Sequence, residues 1–286
     1  MRRTDPVGRQ PGDPRRGRPL RAGRIDLWIA RTDHPGAAGV ARRIRELLPT
    51  DEQAEARRFR RAQDQQQFVI ARAMVRWSLS RHFPLRAADW RFDRDDYGKP
   101  FVAFPHVLPS VQFSISHTDG MIACVVTRSA EAGVDAEKVE HNQDLPLVAG
   151  RVFSPAELVG LGELSGAAWT RRFFELWTLK EAYAKARGLG LSLTWSDIDF
   201  EPGPNNTARV RFASAFGDDP ALWAFWRRSM RSGHVVAVAA KRNFSGPLEV
   251  VPRRIGLDEI VLSMVHEPDM PARRKHIRCD GSTGAA

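Results

Sequence analysis

Two stretches decide the fold and the chemistry together: GVDAEKV at Gly133–Val139 and WTLKEAYAK at Trp177–Lys185. The first reads as a short strand. Side chains two apart on a strand share a face, so Asp135 and Glu137 point the same way. Two carboxylates on one face repel unless a cation or water separates them, and oxygen ligands of this kind suit a hard divalent ion such as Mg²⁺. The second stretch lies within a helix expected over Ala167–Arg187 and closed by Gly188. There Glu181 and Lys185 are four apart and therefore neighbours on one face. Taken singly, each pattern has a bland reading: a solvated strand face for the first, a surface ion pair for the second. The aromatic residues Phe173, Phe174, Trp177 and Tyr183 argue that this helix is largely covered, so its acid–lysine pair borders a cleft.

Outward from these stretches the chain divides into two similar sets of elements. Before them, Arg24–Ala30 alternates as a strand, Ala37–Leu48 and Glu52–Ala62 read as helices, and Gln65–His82 is a third helix with Phe68, Ala71, Val75 and Leu79 on one stripe. Pro84 ends that helix. Tyr97-Gly98-Lys99-Pro100 is a turn. Val111–Ile115 and Met121–Thr127 are strands joined around His117-Thr118-Asp119-Gly120. After residue 130, Ser154, Pro155 and Glu157 form a helix start, with the capping-box pair and a proline at the first helical position. Strands return at Ile198–Phe200, Ala208–Phe212, Leu222–Trp226 and His234–Ala240. The expectation is an α+β fold of two similar halves: 25–130, and 131–243 with the acidic and lysine motifs. A tail over 1–24 precedes them, and a loosely ordered tail over 244–286 follows, with Ile255–Val265 as one short element within it.

The 286 residues carry 44 basic and 34 acidic side chains, a net charge of +10. Eight arginines and two aspartates of that excess lie in residues 1–24, a Pro- and Gly-rich stretch that cannot bury enough apolar surface to order itself. The remainder is mildly basic, which favours an anionic partner. Nucleic acid is disfavoured, because the excess sits in a tail and no groove-reading or stacking motif accompanies it. Two cysteines, Cys124 and Cys279, do not make a disulfide framework, and a reducing cytoplasm is the expected compartment. No apolar run is long enough to span a membrane.

The order GKP (98–100), SISHT (114–118), GVDAE (133–137) and WTLKEAYAK (177–185), with Glu181 lying 44 residues beyond Glu137, resembles the 4′-phosphopantetheinyl transferase superfamily. The likeness is to its larger, surfactin-synthetase-activating (Sfp-like) branch and runs from about Ile25 to Arg242. FSP at 153–155 and GLGLSL at 188–193 are similar as well. The resemblance implies two pseudo-twofold halves with coenzyme A in the crevice between them. It implies transfer of the phosphopantetheine arm to a serine of an apo acyl or peptidyl carrier protein by a cytoplasmic monomer, with release of adenosine 3′,5′-bisphosphate. It further implies Asp135, Glu137 and Glu181 as Mg²⁺ ligands, Lys185 at the pyrophosphate, and Lys99, Ser116 and His117 as contacts of coenzyme A. Either Glu181 or Lys185, directly or through water, takes the serine proton.

The chain departs from the family pattern at Glu52, Glu55 and Gln67, where relatives carry basic residues; Arg57, Arg58, Arg60, Arg61 and Arg72 are the available substitutes. Arg151, Arg171 and Arg172 are expected to steer an acidic carrier. The larger branch leans toward secondary-metabolite carriers. The competing expectation is another Mg²⁺-dependent nucleotide or phosphate hydrolase with the same carboxylates.

Overall fold

The computed structural model describes residues 23–83, 85–105, 111–128, 131–242 and 248–265. The order of elements is β1 (Arg24–Arg31), α1 (Ala37–Leu47), α2 (Thr50–Ala56), α3 (Ala62–Ser80), β2 (Arg91–Arg94), β3 (Pro100–Phe104), β4 (Val111–Thr118), β5 (Met121–Arg128) and β6 (Ala132–Lys138). It continues with α4 (Leu145–Val152), α5 (Pro155–Gly162), α6 (Gly166–Arg187), β7 (Ile198–Pro202), β8 (Thr207–Phe212), β9 (Trp223–Ser229), β10 (His234–Lys241), β11 (Glu249–Ile255) and α7 (Leu257–Val265). Pro84, placed at the end of the third helix, lies outside the described residues. Among them, no helix is long and apolar enough to cross a membrane.

Two sheets form the centre, ordered β11-β1-β5-β4 and β6-β10-β9-β8-β7. The triplets β1-β5-β4 and β6-β10-β9 repeat one pattern, each strand antiparallel to the next. The strands alternate between two buried faces, so they read as almost continuous apolar runs. Ile25, Leu27 and Ile29 of β1, with Met121, Ala123 and Val125 of β5, meet Val134, Ala136, Val236 and Val238 from the second sheet in a core between the halves. Trp28, Ile122 and Cys124 face the other way, toward α1 and α3. Ala237 and Ala239 face α6. The result is helix, sheet, sheet, helix.

Local sequence explains the long helices' ends. Ser154 and Glu157 make both halves of a capping box ahead of α5, with Pro155 at its first position. Gly188, at φ 68°, closes α6 in the left-handed region that glycine enters without a Cβ penalty.

Three boundaries differ from expectation. Arg24 belongs to β1 and not to a tail: it is buried, and its Nη2 lies 3.0 Å from Asp26. The helix expected over 52–62 ends at Ala56, and a new one starts at Ala62. The largest correction concerns the expected loose tail, since residues 249–265 are a strand and a helix. β11 runs parallel to β1 in register Arg24↔Glu249 to Ala30↔Ile255, and α7 buries Leu257, Ile260 and Val261 against the N-terminal core. Pro252 breaks the pattern of a central strand but is tolerated on an edge, which is where β11 sits. Residues 244–247 and 266–286 of that expected tail, with residues 1–22, lie outside the described residues.

Candidate active site

Gly133 makes the site possible. A Cβ at this position would stand 2.1 Å from the carbonyl oxygen of Ala182 and 2.5 Å from the amide of Ala186, so only glycine lets α6 lie on β6 this closely. The next residues on the same face of the strand are Asp135 and Glu137. Their neighbours on α6 are therefore Glu181 and Lys185. The Lys185 ammonium donates to Asp135 Oδ1 at 2.7 Å and to Ser116 Oγ at 2.9 Å, and the Ser116 hydroxyl donates to the same Asp135 oxygen at 2.8 Å. Three elements from two halves meet at one carboxylate.

Ser116 is one of three hydroxyls that β4 presents at every second residue. Ser114 Oγ accepts from the Val134 amide at 3.1 Å, and Thr118 Oγ1 accepts from the Lys138 amide at 3.2 Å while donating to Glu137 Oε2 at 3.3 Å. Side chains thus do between β4 and β6 what a backbone ladder does within a sheet. The alternation Ser-x-Ser-x-Thr is visible in SISHT, but its partners are 19 and 20 residues away, and sequence reasoning singled out only Ser116 and His117.

The carboxylates are undercompensated. Burial pushes the Glu137 carboxyl up to about 7, the Asp135 charge adds to the rise, and hydrogen bonds from Trp177 and Thr118 oppose it. Glu181 is raised for the same two reasons, burial first and then Asp135. Asp135 is 3% exposed, and its Oδ2 is buried with no hydrogen-bond partner. A buried carboxylate oxygen with nothing to accept is a costly arrangement that asks for a cation or a donor. As placed, however, no three His, Cys, Asp or Glu side chains among the described residues are grouped closely enough to hold a metal ion. The donor set fits a hard divalent cation in chemistry, and binding one through all three acids requires their side chains to close in.

Beside this cluster opens a cavity of about 350 Å³ between the halves, lined by α3, the turn before β3, β4 and the end of α6. Lys99, His117 and Lys185 border it; Ser116, Asp135, Glu137 and Glu181 do not, and connect to it through Lys185. Lys99 leaves the Asp95–Lys99 turn, in which Gly98 has φ 82°, and donates at 2.7 Å to the carbonyl oxygen of Ala186 near the end of α6. Burial lowers the pKa of Lys99, and burial followed by Lys185 lowers that of His117. Phe68, Ala71 and Val75 of the α3 stripe form a cavity wall. The acidic departures have structural work: Glu52 holds buried Arg76 at 2.9 Å, and Glu55 lies 3.4 Å from Arg72, which borders the cavity.

A second ion pair on α6 went unread in the sequence. Lys180, fully buried, pairs with Glu157 of α5 at 2.9 Å and donates to the carbonyl oxygens of Trp195 (2.8 Å) and Ile198. Glu157 in turn accepts from the amides of Ser154 and Phe200, each at 2.8 Å. Burial lowers the Lys180 pKa and raises that of Glu157, while their mutual attraction works the other way. Its signal was present, because FSPAE and WTLKE contain both partners, 23 residues apart.

Residues 131–239 match the family model of the 4′-phosphopantetheinyl transferase superfamily, and residues 38–129 that of the 4′-phosphopantetheinyl transferase N-terminal region. The chain is 28% identical over 221 residues to 4′-phosphopantetheinyl transferase HetI of Nostoc sp., covering 70% of this chain and 92% of that protein. It is 30% identical over 164 residues to 4′-phosphopantetheinyl transferase Sfp of Bacillus subtilis, covering 56% of this chain and 69% of that protein. Among solved structures, the holo-[acyl-carrier-protein] synthase of Thermotoga maritima is 21% identical with a TM-score of 0.33, covering 40% of this chain and 64% of that one. The chain belongs to the 4′-phosphopantetheinyl transferase superfamily, in its Sfp-like branch, and is a transferase of that family.

Proposed function

We propose that this enzyme transfers the 4′-phosphopantetheine moiety of coenzyme A to a serine hydroxyl of an apo carrier protein, with Mg²⁺, and releases adenosine 3′,5′-bisphosphate. The supporting observation is the buried Asp135 carboxylate, joined to the inter-half cavity through Lys185, which it holds on one oxygen while the other is unpartnered.

In the reaction the serine oxygen forms a bond to the phosphorus attached to pantetheine. The bond from that phosphorus to the bridging pyrophosphate oxygen breaks, and the electron pair leaves with adenosine 3′,5′-bisphosphate. Positioning and electrostatics carry most of such a step. Lys99, His117 and Lys185 stand along the cavity wall as donors for the phosphates, and Arg72 adds a fixed positive charge. Asp135 and Ser116 together fix the Lys185 ammonium. Glu181, one turn from Lys185 and raised in pKa, is suited to take the serine proton, directly or through water. Asp135, Glu137 and Glu181 would hold Mg²⁺, which when bound supplies charge neutralisation at the pyrophosphate.

The experiment is mass spectrometry of a panel of apo carriers after incubation with coenzyme A and Mg²⁺. The expected result is the phosphopantetheine mass added to the carrier by the wild type and not by Glu181→Gln. Coenzyme A cleavage with the carrier unchanged would instead identify a hydrolase.

A further inference from the structure

A second cavity, of about 890 Å³, shares no residue with the first. It lies where the end of β1, the start of β5, the β9–β10 turn and the end of β11 come together, so it exists only because β11 closes the N-terminal sheet. Five arginines and a histidine line it: Arg31, Arg228, Arg231, Arg253, Arg254 and His34. No Asp or Glu is among the described residues that line it.

Two of these arginines are neutralised from outside the wall, Arg31 by Asp33 and Arg253 by Asp26 at 3.5 Å. Arg228, Arg231 and Arg254 make no ion pair among the described residues and are exposed. Three uncompensated guanidinium groups repel one another across a shared concavity, a cost that disappears when an anion sits between them. The floor is apolar, with Ile29, Met121 and Leu257 buried beneath the arginines. A volume of this size is that of a small-molecule site rather than a flat docking face. Guanidinium forks match phosphate oxygens two at a time, which carboxylates share but single-charge anions exploit poorly across several arginines.

We propose that this cavity is a binding site for a small anion carrying two or more linked phosphate groups, separate from the transfer site. Arg228, Arg231 and Arg254 supply its donors. Inorganic polyphosphate and nucleoside polyphosphates share this chemistry, and the apolar floor has room for the nucleoside of the latter.

The test is calorimetric titration of the full chain in the absence of coenzyme A, using tripolyphosphate in one arm and ADP in the other, with the arginine variant isolating the second cavity, since neither of its substituted residues borders the first. The expected result is one arginine-dependent site per chain, with affinity at least about tenfold weaker in the double variant Arg228→Gln/Arg254→Gln. The arginine-rich first 24 residues are present in both proteins, so their contribution cancels. Tighter binding of ADP than of tripolyphosphate points to a nucleotide, and the reverse order to the inorganic anion. The variant should keep the wild-type melting temperature and carrier-modification rate, since both side chains are exposed and lie outside the first cavity. Equal affinity of wild type and variant, or no binding of either anion, would overturn the proposal. So would arginine-dependent binding of a carrier protein or an oligonucleotide with none of tripolyphosphate or ADP.

Discussion

Helix α6 carries two lysines five residues apart, and each pairs with a carboxylate from elsewhere in the chain, yet the two pairs differ in kind. Lys180 and Glu157 are sealed: both side chains are fully buried, and backbone carbonyls and amides take up their remaining donors and acceptors. Lys185 and Asp135 are open: the lysine is about one-third exposed to the cavity and the aspartate keeps one buried oxygen unpartnered. A sealed pair has nothing left with which to bind a substrate and serves to pin α5 and β7 to α6. An open pair leaves a charge cluster incomplete, which is destabilising on its own and useful only when a substrate or ion completes it. Saturation of hydrogen-bonding capacity thus separates the lysine that pins the fold from the one proposed to meet substrate, where sequence alone sees W-x-x-K-E-x-x-x-K as a single motif.

The contrast can be broken most severely at Glu181 and Lys185. Glu181→Gln should lower carrier modification by about three orders of magnitude or more, and Lys185→Met by about 10²–10⁴-fold, with melting temperatures near wild type. Steady-state kinetics beside a thermal melt checks both. Lys180→Met should do the reverse. Leaving Glu157 buried and unpaired costs about 3–5 kcal/mol, while the turnover of molecules that remain folded changes little. Denaturant titration reads the loss, and the double variant Lys180→Met/Glu157→Leu should recover much of it.

The open site also predicts a pH signature in the metal-free protein. Glu137 and Glu181 have carboxyls raised above their unfolded values, so the protonated forms are favoured in the folded state. The stability they contribute is fully present below about pH 4.3, the unfolded carboxylate value, and is lost as pH rises through about 7 for Glu137. Melting temperature measured without metal should fall across that interval, and Mg²⁺ should raise it more at pH 7.5 than at pH 5. An equal Mg²⁺ effect at both values would contradict the proposed role of these acids in holding a metal ion.

Smaller effects sharpen the picture at the seam and the rim. Thr118→Val deletes one acceptor for the Lys138 amide and one donor to Glu137, and should cost about 1–3 kcal/mol of stability. Charge reversal of Arg171 and Arg172, near the start of α6, should raise the carrier KM several-fold and leave the coenzyme A KM unchanged. Arg172 already shares its charge with Glu175 at 3.3 Å, so Arg171, which is exposed, should account for most of the change.

Local features of the sequence reported what local forces determine. The capping box at Ser154, the αL stop at Gly188 and the shared face of Asp135 and Glu137 are all set within a few residues, and all could be read directly. What escaped reading depends on distant partners. β11 has weak alternation and a proline, and becomes a strand because β1 offers it a free edge 225 residues earlier. Glu52 and Glu55 looked like missing basic residues until α3 placed Arg76 and Arg72 against them. The role of Gly133 was equally hidden, since nothing in GVDAE announces that a helix backbone will lie 2.1 Å from the absent Cβ. The acids themselves were legible as candidates, but their grouping was not: the side chains flank Lys185 and are not gathered as a ready cage.

The most direct test of the open-pair account is a Mn²⁺ titration followed by electron paramagnetic resonance, in the presence of coenzyme A, on wild type, Asp135→Asn and Ser114→Ala. One bound Mn²⁺ per chain in the wild type and in Ser114→Ala, lost in Asp135→Asn, is the predicted result. Undiminished Mn²⁺ binding by a folded Asp135→Asn would contradict it.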